Sequence, residues 1–146
     1  MAVPLTDRVL SKLLVVHQFV YDKSDGRIGA SLAGRSMLLL RTTGRRTGKP
    51  RTAALLYIRD GDDYVVIAST GGADHHPGWY FNLRDDAPAE IQVGRERIAV
   101  TAADATCDRR EQLWAEADRV NRGQYSTYQS RTDRQIPVVV LTPRAP

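Results

Sequence analysis

Six short apolar runs, each bounded by turn residues, constrain this chain more than any other feature of its sequence: residues 37–40, 53–58, 64–68, 89–93, 97–102 and 136–141. The first three are apolar on both faces, as buried strands are. The fourth and fifth alternate with period two and meet at a turn near Gly94 and Arg95. A tight turn at Asp60, Gly61 and Asp62 joins the second run to the third. Connections this short exclude parallel crossovers, so the first three strands form an antiparallel meander. Three helices fit between or before the strands. One runs from a Thr6 or Asp7 cap to about Tyr21. The second covers 77–84, with Asp74 placed to cap it. The third runs from an Asp108 and Glu111 capping box to about Asn121, where Gly123 ends it. Pro143 is expected to stop the last strand. The pattern describes an α+β protein built on an antiparallel barrel with helices against its outside.

At 146 residues the chain fits a single domain, 1–146. Residues 1–23 supply the N-terminal amphipathic helix, and 37–146 supply the barrel and its helices. Packing on the domain is the expected role of that first helix. A peripheral membrane contact is the other reading, favoured by Lys12 and Lys23 and opposed by Asp7, Asp22 and Asp25. A lone cysteine, Cys107, excludes an internal disulfide framework and suits a reducing compartment. No run approaches the length of a membrane span, and a cytoplasmic location is expected.

Charge is distributed unevenly. The net charge is +4, yet no acidic residue lies between Asp25 and Asp60, where Arg27, Arg35, Arg41, Arg45, Arg46, Lys49, Arg51 and Arg59 stand. The densest part is the turn Thr42-Thr43-Gly44-Arg45-Arg46-Thr47-Gly48-Lys49-Pro50-Arg51. Its Arg and Lys side chains, hydroxyls and backbone N–H groups suit phosphate or carboxylate. A solvated surface hairpin is the alternative, and the residues of the turn alone do not decide between them. A second feature is the small-residue loop Ser69-Thr70-Gly71-Gly72-Ala73. Its paired glycines would let backbone approach a flat ligand closely.

Several chemistries are excluded. His75 and His76 are neighbours whose side chains diverge and His17 is in another element, so no metal site is expected. Asp108 beside Cys107 would raise the thiol pKa, which argues against a cysteine nucleophile. The basic turn lacks the glycine spacing and following helix of a phosphate-binding P-loop. No serine-centred triad is visible. Without a protein group suited to difficult chemistry, a borrowed cofactor is the remaining route.

Four stretches in order resemble the deazaflavin-dependent nitroreductase family, the A-type branch of the flavin and deazaflavin oxidoreductases. They are Thr42-Thr43-Gly44-Arg45-Arg46-Thr47-Gly48, Ala68-Ser69-Thr70-Gly71-Gly72-Ala73, His76-Pro77-Gly78-Trp79-Tyr80-Phe81-Asn82-Leu83, and the segment from Tyr125 to Pro137. The resemblance implies a split, FMN-binding-like antiparallel β-barrel with peripheral helices. It also implies coenzyme F420, a reduced 8-hydroxy-5-deazaflavin with a phosphodiester and an oligoglutamate tail. The implied activity is hydride transfer to a quinone, enone or nitro-type acceptor.

By the same resemblance, Thr43, Arg45, Arg46, Lys49 and Arg51 would hold the phosphate and tail carboxylates. Ala68, Ser69, Thr70, Gly71, Gly72 and Ala73 would line the phosphate and ring, and His76, Pro77, Trp79 and Asn82 would complete the groove. Tyr125 and Tyr128 match tyrosines over the substrate pocket and are the candidates for orienting the acceptor. Relatives that reduce nitroimidazoles carry a Tyr-Pro pair where this chain has Arg122-Gly123, and often have lysines where it has Thr70 and His75. The expected partner is a small-molecule acceptor with no nucleic acid, and either a monomer or a homodimer fits. The alternatives are an FMN- or haem-binding barrel, or a non-catalytic basic module that meets nucleic acid or an anionic membrane.

Overall fold

The computed structural model describes residues 31–32 and 35–145. The expected helix over 6–21 lies outside them. The strands are β1 (Ser31–Leu32), β2 (Arg35–Thr43), β3 (Pro50–Leu56), β4 (Ile58–Asp60), β5 (Asp63–Ile67), β6 (Ala89–Val93), β7 (Glu96–Asp104) and β8 (Val138–Pro143). The helices are α1 (Gly78–Asn82), α2 (Cys107–Val120) and α3 (Gln124–Gln129). All strand pairs are antiparallel, in the order β1-β2-β6-β7-β8-β5-β4, with β3 on the other edge of β2.

β3 and β4 are one stretch of chain interrupted only at Tyr57. The first part pairs with β2, the second with β5. The two ends of the sheet are therefore joined through a single strand, and the sheet curls into the split barrel. The turn between β4 and β5 has two residues, Gly61 and Asp62, with Gly61 at φ +60°. That is a conformation glycine adopts without a Cβ clash.

Runs apolar on both faces supply two cores. Leu38, Leu40, Tyr64, Val66, Val139 and Leu141 join Tyr80 of α1 and Leu83, which follows it, in one cluster. The alternating residues Val65, Ile67, Val138 and Val140 pack against Leu113, Ala117 and Tyr125 of α2 and α3 in the other. Period two puts neighbours on opposite faces, and both faces are covered. Leu38, Leu39 and Leu40 are fully buried, and each contributes about 1.5–3 kcal/mol by leaving water.

Local signals misplace some boundaries. Asp74 does not cap α1; Pro77 precedes it in extended conformation, where its missing N–H costs nothing. Asp108 lies inside α2, which begins after Thr106 with no side-chain cap. Pro143 ends β8 from within, opposite Val100, because the last rung needs no donor there. The stretch that follows Gly123 holds α3. Asp118 of α2 accepts from the Ser126 N–H at 3.0 Å and its hydroxyl at 2.5 Å, satisfying the new helix's first turn.

Candidate functional site

The β2–β3 hairpin closes with Gly44 N–H donating to the Lys49 carbonyl and Gly48 N–H to the Gly44 carbonyl, both at 2.8 Å. Gly48 has φ +69°. A Cβ on Gly44 would lie 2.8 Å from the Thr47 hydroxyl, so the turn admits no side chain there without a shift. Arg45, Arg46, Lys49 and Arg51 are all exposed. Among the described residues no carboxylate pairs with them. The ion pairs lie elsewhere, with Arg109 on Asp60 and Asp63 and Arg119 on Glu116.

α1 is fixed against this turn by Asn82. The side chain is 8% exposed, donates to the Thr42 hydroxyl at 3.1 Å and accepts from the Arg45 N–H at 3.1 Å. Between them lies a cleft of about 410 Å³ lined by Arg45, Arg46, Arg51, Thr42, Ala53 and Trp79, among others. Trp79 and Ala53 give it apolar walls, and the arginines give it positive charge. The Arg45 guanidinium stacks 4.6 Å from the Phe81 ring centre. Thr43 lies in an adjoining cleft that shares Gly44, Arg45 and Asn82. Lys49 lines neither.

The 69–73 loop forms a second centre. It follows β5 and makes a short 3-10 turn, Thr70–Gly72, with Gly72 N–H on the Ser69 carbonyl at 2.9 Å. Gly72 is buried with φ +85°, and a Cβ there would sit 2.6 Å from the Tyr128 carbonyl oxygen. The close approach that requires this glycine is to α3. Gly71 faces open space.

Arg134 grips the same loop from the segment before β8. Its Nε donates to the Ala73 carbonyl at 2.7 Å, Nη2 to Ser69 at 2.8 Å, and Nη1 to Ala68 at 3.2 Å and to His76 Nδ1 at 2.9 Å. Accepting at Nδ1 requires the neutral imidazole. Burial, then the charges of Arg134 and Arg84, lower the His76 pKa, with Asp104 opposing them. The ring lies 4.8 Å from that of Tyr80. Pro77 connects it to α1.

The two tyrosine candidates separate. Tyr125 is 5% exposed and packs against Trp114 and Tyr128 in the second core. Its ring supports α3 from below. Tyr128 is half-buried and donates its hydroxyl to Gln124 Oε1 at 3.2 Å. Arg122 is exposed with φ +57° at the α2–α3 junction.

The structure thus brings Arg45, Arg46, Arg51, Trp79 and Asn82 to one cleft, and Ser69 to Ala73, His76 and Tyr128 to a neighbouring loop and helix. Sequence reasoning gave Arg134 no role, although it lies inside a motif that carried the resemblance. Its partners are mostly backbone carbonyls, which leave no trace in residue identity. Among the described residues no cluster of three metal-ligating side chains occurs, and no helix is long and apolar enough to cross a membrane.

A family model described as F420H(2)-dependent quinone reductase matches residues 14–143. The chain is 46% identical over 136 residues to an F420H(2)-dependent quinone reductase of Mycobacterium tuberculosis, covering 91% of each. The solved structure of an F420-H2 dependent reductase superimposes with TM-score 0.64 at 34% identity, covering 72% of this chain and 92% of that one. A second, described as a domain-swapped dimer, gives TM-score 0.67 at 29% identity over 94% and 99%. A match running from the N-terminal segment into β8, joined to this identity and this shared split barrel, makes the chain a member of the F420H(2)-dependent quinone reductase family.

Proposed function

We propose that this protein is an oxidoreductase that uses reduced coenzyme F420 to reduce a small-molecule acceptor of the quinone class. The observation that carries the reading is the cleft in which exposed, acid-free arginines face Trp79. Such a donor set fits a guest with a flat conjugated part and an anionic part, as a deazaflavin phosphodiester is. Arg45, Arg46 and Arg51 would hold phosphate or tail carboxylates through two-pronged contacts that lysine cannot copy. Lys49 adds charge at the rim. The bound coenzyme would supply a hydride, and a quinone that accepts it takes a proton from solvent to become a hydroquinone.

The remaining work belongs to side chains. Trp79 excludes water from one wall, and Asn82 fixes the Arg45 backbone at the mouth. The 69–73 loop offers backbone N–H groups. Tyr128 is the hydroxyl placed to orient an acceptor oxygen, with Arg122 nearby in sequence to favour an oxygen-rich or anionic one. Assembly as a homodimer is part of the reading, supported by the dimeric relative structure.

Titration with reduced coenzyme tests it. Micromolar binding, followed by coenzyme oxidation on adding a quinone such as menadione, is the expected result. Affinity no tighter than about millimolar, roughly −4 kcal/mol, would overturn it.

A further inference from the structure

Arg134 reaches across residues 68–76 with one planar group. Three of its four contacts are to carbonyls, those of Ala68, Ser69 and Ala73. Its own backbone is held in turn by Gln129, whose Nε2 donates to the Arg134 carbonyl at 2.7 Å while Oε1 accepts from the Ile136 N–H at 3.0 Å. The guanidinium is thus aimed from a fixed base rather than from a free loop.

Trans peptide planarity gives this grip a second effect. In a trans unit the C=O of one residue and the N–H of the next point in opposite directions. Turning the carbonyls of Ala68, Ser69 and Ala73 toward Arg134 therefore turns the N–H groups of Ser69, Thr70 and Asp74 away from it. None of those three N–H groups donates to a carbonyl or side chain among the described residues. The carbonyls facing Arg134 are occupied, the Gly72 and Ala73 N–H groups donate within the turn, and the N–H groups of Ser69, Thr70 and Asp74 are available. Thr70 is held at φ +47°, a conformation a β-branched residue avoids unless its surroundings impose it.

We propose that Arg134 is a positioning residue for the coenzyme: by holding the carbonyls of residues 68, 69 and 73, it presents the loop's N–H groups to an anionic part of the bound deazaflavin. The proposal rests on the coenzyme reading above. Arg134 itself touches neither coenzyme nor acceptor. Its four simultaneous contacts need the guanidinium fork, so a lysine would keep the charge and lose the arrangement.

The test compares wild type, Arg134→Ala, Arg134→Lys and the double variant Arg45→Ala/Arg46→Ala. Coenzyme dissociation constants, the KM for a quinone, and deuterium uptake of residues 68–76 in the coenzyme-free protein are measured. Arg134→Ala is expected to weaken coenzyme binding about tenfold to a hundredfold, the range for losing hydrogen bonds to a charged group. It should speed deuterium uptake in the loop and leave the quinone KM unchanged. Millimolar guanidinium ion should recover part of the affinity of Arg134→Ala, and Arg134→Lys should not recover it. The double variant should lose affinity with loop exchange unchanged.

Binding by Arg134→Ala within about twofold of wild type would overturn the proposal, as would full recovery by lysine. If the alanine protein does not fold, the lysine protein carries the comparison: tenfold weaker binding supports the proposal and wild-type affinity overturns it. A wild type that does not bind coenzyme removes the functional reading and this inference with it, a result distinct from failure at Arg134 alone.

Discussion

The 42–51 turn and the 69–73 loop are both served by arginines, the first by its own and the second by Arg134 from the segment before β8, and they use them in opposite ways. In the hairpin, Arg45, Arg46 and Arg51 are exposed, and no described carboxylate answers them. In the loop, the Arg134 guanidinium is half-buried and engaged by the chain's own carbonyls. The first arrangement leaves charge available to a ligand and lets the turn keep its shape through backbone bonds. The second commits charge to shape and leaves backbone N–H groups available. An anion can be recognised either way, and counting cations along the sequence finds only the first.

Substitutions that strain one region and spare the other test this contrast. The largest effect is expected at paired glycine positions. Gly72→Ala must push a Cβ against the Tyr128 carbonyl at 2.6 Å while holding φ +85°, and should destabilise the fold by more than about 3 kcal/mol in denaturant unfolding. Gly48→Ala meets no atom within 4 Å and should cost about 1–2 kcal/mol, the left-handed penalty alone. Equal costs would mean that the loop is not locked onto α3.

Next in size is the loss of ligand charge. Arg45→Ala/Arg46→Ala should weaken coenzyme binding about a hundredfold, near 2.7 kcal/mol, with little change in denaturation midpoint. A matching loss of stability would show the hairpin arginines to be structural. Asn82→Ala should have a mixed effect. It leaves Thr42 and the Arg45 N–H without their partner, so about 1–2 kcal/mol of stability and several-fold coenzyme affinity should go together.

The smallest effect is a pH dependence at His76. Its pKa is lowered in the fold, by burial first and then by Arg134 and Arg84, while the unfolded imidazole titrates near 6.5. The unfolded chain therefore binds the proton more readily. Stability from the neutral ring is fully present above that value and declines as pH falls through the folded pKa. His76→Gln should flatten this part of the stability profile, below about pH 6.5. Relative to the intrinsic exchange rate, which itself falls with pH, the 69–76 segment should also be less protected at the acid end in wild type, while the protection of the hairpin stays constant.

Much of the fold was legible because its signals are local. Six apolar runs became the six main strand segments, and the turns at Gly61 and Gly94 fell where glycine and polar residues predicted them. The hairpin was legible as a candidate anion holder for the same reason, since its cations are contiguous and unopposed. What was not legible depends on distant partners. Gly72 is required by a carbonyl on α3, which no neighbour in sequence announces. Arg134 was passed over because its acceptors are mostly main-chain atoms. Tyr125 and Tyr128 looked alike, and only the packing of a six-residue helix separates the buried ring from the half-exposed one. Capping residues misled at Asp74 and Asp108 because cap preferences are averages that a neighbouring proline or an extended threonine overrides.

β5 and β8 have a further consequence through their two apolar faces. A strand polar on one side resists slippage, because a shift by one residue would turn its apolar set to water. Here Val65, Val66, Val138, Val139 and Val140 are buried whichever way they point, so hydrophobicity hardly distinguishes the correct alignment from its neighbour. Alignment must come from the end of the pair, in the rung from the Ala68 N–H to the Pro137 carbonyl at 3.0 Å. That rung leads directly into the 69–73 loop and out of the Arg134 segment. A one-step error would carry the guanidinium about 3.4 Å from its carbonyls. The geometry of the 69–73 loop is in that sense written in a main-chain rung beside it, which no choice of side chain encodes.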